Sequence, residues 1–253
     1  MKHGWLLPAL LCLPLVAVAA ARDIVSLDLC SDWMLLRLGG QDRVRAFSPL
    51  LYRYRADWVP EGLPQHDGRL ESLLPLGRVR FVAGEYNAMT LRQRLRQLGR
   101  SVEAMPLPQR LDEVVLYTDR YRQLLGQGRG GDAPETHHPA NGQRLLLLGA
   151  NAIGTGRDTL ESDIVERAGF ANYLQSPGFR RLDLERLVAD PPDAILWSAP
   201  RSRALAYRLA EHPLIRARMA SLPEPPGEDW RWMCPGPWSF DLVADLAAWG
   251  GRL

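Results

Sequence analysis

The chain has 253 residues, with 31 Lys and Arg against 29 Asp and Glu and a net charge of +2. Its one Lys is Lys2, so the remaining positive charge is Arg scattered among acids with no basic block, which argues against a nucleic-acid-binding surface. Residues 21–253 are enough for one large domain or two lobes with cores of ordinary size.

The chain opens with basic Lys2-His3, an apolar run from Trp5 to Val18, and the small residues Ala19-Ala20-Ala21. That layout predicts a secretory signal peptide over 1–20, cut near Ala19 to Ala21. The run is shorter than the roughly 20 residues a bilayer span needs, and Pro8 and Pro14 interrupt it. No later segment is long and apolar enough to cross, so the expected product is an exported, soluble, periplasmic protein.

Ile24 to Leu27 reads as a buried strand. Cys30-Ser31-Asp32 opens a helix over Trp33 to Leu38, stopped by Gly39-Gly40. Val44 to Phe47 is a second strand, followed by an irregular, aromatic-rich stretch from Ser48 to Trp58. Val79 to Ala83 and Val102 to Met105 are strand-like, and they flank an amphipathic helix over Met89 to Leu98. Leu111 to Leu125 is helical, with Leu111, Val114, Val115, Leu124 and Leu125 on its apolar face. Gly126 to Gly142 is polar and rich in Gly and Pro, the best linker in the chain. His137-His138 within it reads as a solvated pair, and no metal site is expected.

A second set of elements follows. Leu145 to Leu148 is a strand, Gly149 to Gly156 a Gly-rich loop without the spacing of a phosphate-binding motif, and Asp158-Thr159-Leu160-Glu161 a capping box opening a helix that ends at Gly169. Ala194 to Trp197 is a strand, and Ser239 caps a last helix that stops at Gly250-Gly251. One pattern occurs twice: Arg69-Leu70-Glu71-Ser72-Leu73-Leu74 before Val79–Ala83, and Asp183-Leu184-Glu185-Arg186-Leu187-Val188 before Ala194–Trp197. Alternating strands and helices in two similar halves predict an α/β fold of two lobes, each a mostly parallel sheet flanked by helices, with a ligand cleft between. The expected division is an N-terminal lobe over 21–108, an interlobe helix and linker over 109–142, and a C-terminal lobe over 143–253.

Ligands of such sheets sit at the carboxyl ends of the strands. The loops there hold Cys30 and Ser31, then Tyr52 and Tyr54, then Tyr86. In the second half they hold Asn151 and Arg157, then Trp230, Cys234 and Trp238. These are the candidate ligand contacts, and the aromatic content suits a large, flat, partly apolar ligand. Trp33, Trp197 and Trp249 read as core. Arg53, Arg55, Arg157, Arg201 and Arg231 lie in the same loops and would suit anionic groups.

Three stretches resemble the helical-backbone class of periplasmic binding proteins, the substrate-binding components of ABC importers for cobalamin, ferric siderophores and haem. They are Arg22 to Asp32, Thr159 through Glu166-Arg167-Ala168-Gly169-Phe170-Ala171-Asn172, and Cys234-Pro235-Gly236-Pro237-Trp238, together with the two Leu-Glu units. The resemblance implies a monomeric carrier, not an enzyme, with no cofactor of its own, whose ligand itself brings cobalt or iron. Cobalamin-like ligands lead, with ferric siderophores and haem next. It also implies that Glu71 and Glu185 dock onto arginines of a membrane permease. The family's lobes are joined by a long helix, whereas Leu111 to Leu125 spans only about 22 Å, which predicts looser coupling.

Cys12 belongs to the leader, leaving Cys30 and Cys234. Three states are open to them: a disulfide across the cleft mouth, two separate thiols, or thiolate ligation of the ligand's metal. Two other readings remain beside the carrier. One is an exported hydrolase using Ser31 or Ser48 with His66 and a carboxylate, and the other is a sensor or accessory protein on the same fold.

Overall fold

The computed structural model describes residues 22–198, 208, 211–220, 222–223, 226 and 230–253. The expected signal peptide over 1–20 and Arg201 lie outside the described residues.

The N-terminal sheet is built from β1 (Ile24–Ser26), β2 (Val44–Ala46), β3 (Arg80–Gly84) and β4 (Ser101–Met105), in the order β2-β1-β3-β4 and parallel throughout. Between the strands run α1 (Leu29–Arg37), α2 (Leu50–Arg53), α3 (Leu70–Leu73) and α4 (Met89–Gln97). Successive strand residues point to opposite faces. Ile24 and Val82 therefore join a core with α1, while Val25, Phe81 and Ala83 join a second core that includes Leu73 of α3 and Leu95 of α4. A sheet buried on both faces needs continuous apolar strands, which is what the sequence shows here.

The C-terminal sheet is mixed. Strand β5 (Arg144–Leu148) pairs in parallel with β7 (Ala171–Asn172) and with β9 (Ala194–Trp197). Strand β6 (Ile153–Thr155) runs antiparallel to both β5 and β8 (Phe179–Arg181). Alternation holds again: Leu145 and Leu147 pack with α6 (Leu160–Arg167) and α9 (Ser239–Gly250), while Leu146 and Leu148 join Leu187 of α7 (Leu184–Ala189) and Ile215 of α8 (Pro213–Ala220). The Gly-rich loop thus contains a short strand. Its glycines permit close packing, since a Cβ on Gly156 would lie 1.9 Å from the Ser176 carbonyl oxygen.

Two connectors belong to both lobes' cores. Helix α5 (Leu111–Leu124) gives Leu111 and Val114 to the C-terminal core, and Tyr117, Tyr121 and Leu124 to the N-terminal one. The segment from Trp230 to Trp238 does the same, with Trp232 in the C-terminal core and Cys234 and Trp238 in the N-terminal core. The expected interlobe helix is thus accompanied by a second connector.

Two helix starts differ from expectation. The N-cap of α6 is Thr159, whose hydroxyl accepts from the Ser162 N–H, while Asp158 takes a left-handed conformation at φ 61°. The cap thus lies one residue later than the sequence pattern suggested. Ser239 is the first residue of α9 rather than its cap, and its hydroxyl accepts from the Gly236 N–H instead.

An interlobe cleft as the candidate ligand site

A cleft of about 390 Å³ opens between the lobes. Its N-terminal wall is made at the carboxyl ends of β1, β3 and β4, by Cys30, the loop from Gly84 to Asn87, and the stretch from Leu107 to Gln109. Tyr117 reaches it from α5. The facing wall is the start of α6, from Asp158 to Glu161, with Phe179 of β8. The segment from Arg231 to Pro235 completes the lining.

The β3 loop is held at several points. The Gly84 N–H donates to Asp28 Oδ2 at 2.6 Å, and the Glu85 N–H donates to the Met105 carbonyl at 2.8 Å. Glu85 Oε1 accepts from the Leu107 N–H at 2.7 Å, and the guanidinium of buried Arg92 donates to the Glu85 carbonyl. A loop fixed on both sides leaves Tyr86 68% exposed. Across the cleft, Phe179 is 57% exposed. Two large aromatics left open to solvent on opposing walls are a feature that packing alone does not require.

Behind this wall lies a run of hydroxyls. Tyr117 Oη is 3.4 Å from Tyr121 Oη, which lies 2.9 Å from Ser31 Oγ. Ser31 donates from Oγ to Asp28 Oδ2 at 3.3 Å and from its backbone N–H to Asp28 Oδ1 at 2.9 Å. Burial raises the pKa of Asp28 and raises both tyrosines' as well. One turn on, Asp32 accepts from the backbone N–H and hydroxyl of Ser48, and burial pushes its pKa up to about 7.

The cysteines are joined. Cys30 and Cys234 form a disulfide with Cα atoms 5.2 Å apart, closing a sequence separation of 204. Both residues line the cleft, yet Cys234 packs in the N-terminal core, so the bond fastens the second connector to that lobe and does not clamp the mouth. With both sulfurs bonded to each other, neither is a thiolate ligand. Beside the disulfide, Trp230 packs between Trp33 and Trp238 at ring separations of 5.2 and 5.1 Å, and the Arg37 guanidinium lies 4.6 Å over Trp58.

Among the described residues, the charged groups lining the cleft are Glu85, Asp158, Glu161 and Arg231. Arg231 pairs with Asp245 at 2.5 Å. Glu161 makes no ion pair among the described residues, and burial raises its carboxyl pKa.

Of the ten candidate contacts, Cys30, Tyr86 and Cys234 line the cleft. Ser31 lies behind its wall. Tyr52 directs its hydroxyl to the Pro60 carbonyl and accepts from the Leu63 N–H, while Tyr54 sits beside Arg53 on the surface. Asn151 occupies a left-handed turn at φ 58°, and the Arg157 backbone bonds Ser176 and Gly178. Trp230 and Trp238 belong to the aromatic packing beneath the disulfide. Of the five loop arginines, Arg231 is the one seen at the cleft among the described residues. Sequence reasoning did not name Phe179, Glu161 or Tyr117 as ligand contacts, and gave Glu161 only a capping role. Tyr117 follows Leu111 and Val114 at helical spacing and was recoverable from that period, whereas nothing local marks Phe179.

The hydrolase pairing does not form. His66 places Nε2 2.7 Å from the Ser26 carbonyl and accepts at Nδ1 from the Gly68 N–H, while the Ser31 and Ser48 hydroxyls donate to Asp28 and Asp32.

Two α/β lobes, a bridging helix and a cleft between them constitute the fold of the helical-backbone periplasmic solute-binding proteins, and this chain has that fold. It is similar to a possible iron-binding, periplasmic solute-binding protein of Staphylococcus epidermidis, with 19% identity, a TM-score of 0.66, and coverage of 90% of this chain and 97% of that one. The periplasmic haem-binding protein HutB of Vibrio cholerae matches with 19% identity and a TM-score of 0.66, over 90% of this chain and 98% of that one. A periplasmic haem-binding protein of Pseudomonas aeruginosa matches with 19% identity and a TM-score of 0.61, over 90% and 91% of the two chains. No protein-family model and no curated protein matches the sequence.

Proposed function

We propose that the chain is the periplasmic substrate-binding component of an ABC importer, capturing an iron chelate or haem in the interlobe cleft. The observation that carries this reading is the exposed pair Tyr86 and Phe179 on opposing walls, one on a hydrogen-bonded loop and the other on a paired strand, with space for a flat ligand between the lobes. No His lines the cleft among the described residues and the cysteine sulfurs are bonded together; Tyr86, beside the carboxylates of Glu85, Asp158 and Glu161, offers an exposed phenol oxygen of the kind that ligates ferric iron. Three considerations favour iron over cobalamin. They are the oxygen donor, a volume near the lower end of the roughly 300–1,000 Å³ typical of ligand sites, and structural neighbours described as iron- or haem-binding.

Intrinsic fluorescence tests this reading directly. Trp232 lines the cleft, and Trp230, Trp33, Trp58 and Trp238 form a cluster beside it. Haem or a ferric siderophore should quench emission saturably, and Tyr86→Phe should weaken the haem titration by about tenfold or more, the scale of a lost charge-assisted contact. Flat titrations with haem, a ferric siderophore and cobalamin would sink the carrier reading.

Delivery to a permease is supported by Glu71 and Glu185. Each lies in the first turn of its Leu-Glu helix, α3 or α7, and is exposed, with no side-chain hydrogen bond or ion pair among the described residues. In α7 the cap is Asp183, so Glu185 is not consumed by capping. Reversing both charges, Glu71→Lys with Glu185→Lys, should abolish uptake in cells while binding in solution stays within twofold. Normal uptake by the double variant would remove the docking role.

A further inference from the structure

We infer that Asp28 is a positioning residue that holds the N-terminal wall of the cleft in its ligand-ready arrangement, a role that rests on the carrier reading above. Its carboxylate joins two ligand loops that are remote in sequence. Oδ1 accepts from the Ser31 N–H and so caps α1, fixing the turn that carries Cys30 and its disulfide to the second connector. Oδ2 accepts from the Gly84 N–H at 2.6 Å, fixing the start of the loop that carries Tyr86. The Ser31 hydroxyl ties the same oxygen, through Tyr121, to α5, the other interlobe connector. One buried side chain therefore links both connectors and two of the loops that face the ligand.

The chemistry explains why a carboxylate stands here. The Ser31 N–H reaches Oδ1 and the Gly84 N–H reaches Oδ2, and a carboxylate accepts at both positions. An amide offers one oxygen. Keeping a carboxyl in this buried place is costly, as its raised pKa indicates, and the helix cap alone would be served as well by Asn or Ser. The retained carboxylate is accounted for by the second bond, to the Tyr86 loop.

Asp28→Asn separates the two bonds. Its carbonyl can still cap α1, while its NH2 meets the Gly84 N–H donor to donor. We expect the variant to keep its fold and bind haem about tenfold more weakly. The loss should fall mainly on the association rate, because fewer molecules hold Tyr86 in the competent position. A purely structural role would lower the unfolding temperature and leave the dissociation constant of the folded protein unchanged. That outcome, or a dissociation constant within twofold of the unmodified protein, would overturn the inference while leaving the carrier reading intact. If the unmodified protein binds neither haem, a ferric siderophore nor cobalamin, the carrier reading fails and takes this role with it.

Two further measurements hold if Asp28→Asn does not fold. Ser31→Ala retains both backbone bonds and removes the hydroxyl link to α5, and should weaken haem about threefold; an unchanged constant counts against the role. In the unmodified, ligand-free protein the Gly84 amide should be strongly protected from hydrogen exchange, and rapid exchange there would overturn the tether outright.

Discussion

Replacing Cys30 and Cys234 together by Ala is expected to lower the unfolding midpoint by about 10–20 °C. The bond closes a sequence separation of 204, for which loop-closure entropy gives roughly 5 kcal/mol, and each kcal/mol moves the midpoint of a domain this size by about 2–4 °C. Removing the bond also frees the connector that carries Trp230 and Trp238 into the N-terminal core. The aromatic packing there still holds the segment, so the fold should survive and the variant should remain cooperative. Calorimetry of the double variant beside the reduced and oxidised native protein checks this. A shift under about 3 °C would show that the connector is secured by packing alone.

Stability should fall as pH rises from about 4 to about 7, and Asp32→Asn should remove most of that slope. Burial raises the folded-state pKa of Asp32 from 3.8 to about 7. Between those values the native protein keeps a proton that the unfolded chain has released, so raising the pH draws the equilibrium towards unfolding by up to roughly 1.4 kcal/mol per pH unit. Above the folded pKa the ionised carboxylate stays buried, and the loss is complete. Asp28 pulls the same way, since burial raises its pKa too. His66 pulls the other way, because burial lowers its pKa and the unfolded chain takes up that proton first as pH falls below about 6.5. The difference between the native protein and Asp32→Asn isolates the one group. Asn keeps a carbonyl for the Ser48 N–H and gives an NH2 to its hydroxyl, as a protonated Asp would, so the variant should fold. Parallel pH profiles for the two proteins would show that Asp32 is ionised in the native state.

Much of the architecture is written in local pattern. The strands around Ile24, Val82 and Leu146 are continuous apolar runs because both of their faces are buried, and such runs are legible without coordinates. Met89–Gln97 and Leu111–Leu124 follow helical spacing, and Gly39 and Gly99, both at φ 70°, end their helices as a residue without Cβ permits. The paired Leu-Glu units mark the two halves by repetition alone. Strands β6 and β8 were not legible, because three residues are too few to show a period, those of β8 are all exposed, and their pairing depends on β5 being in place.

The sequence by itself determined the α/β class, the two matched halves and the loops from which a ligand site had to be drawn, since these follow from periodicity, turn residues and the carboxyl-end rule. Only the tertiary structure decided which members of those loops face the cleft. Tyr52 and Tyr86 look alike in sequence, yet one bonds its own loop while the loop of the other is held by Asp28, Met105 and Leu107 from distant parts of the chain. It also decided the state of the cysteines, because whether two sulfurs 204 residues apart meet depends on how Trp232, Trp238 and Trp230 divide between two cores. Exposure and long-range pairing are properties of the packed molecule, and no local spacing encodes them.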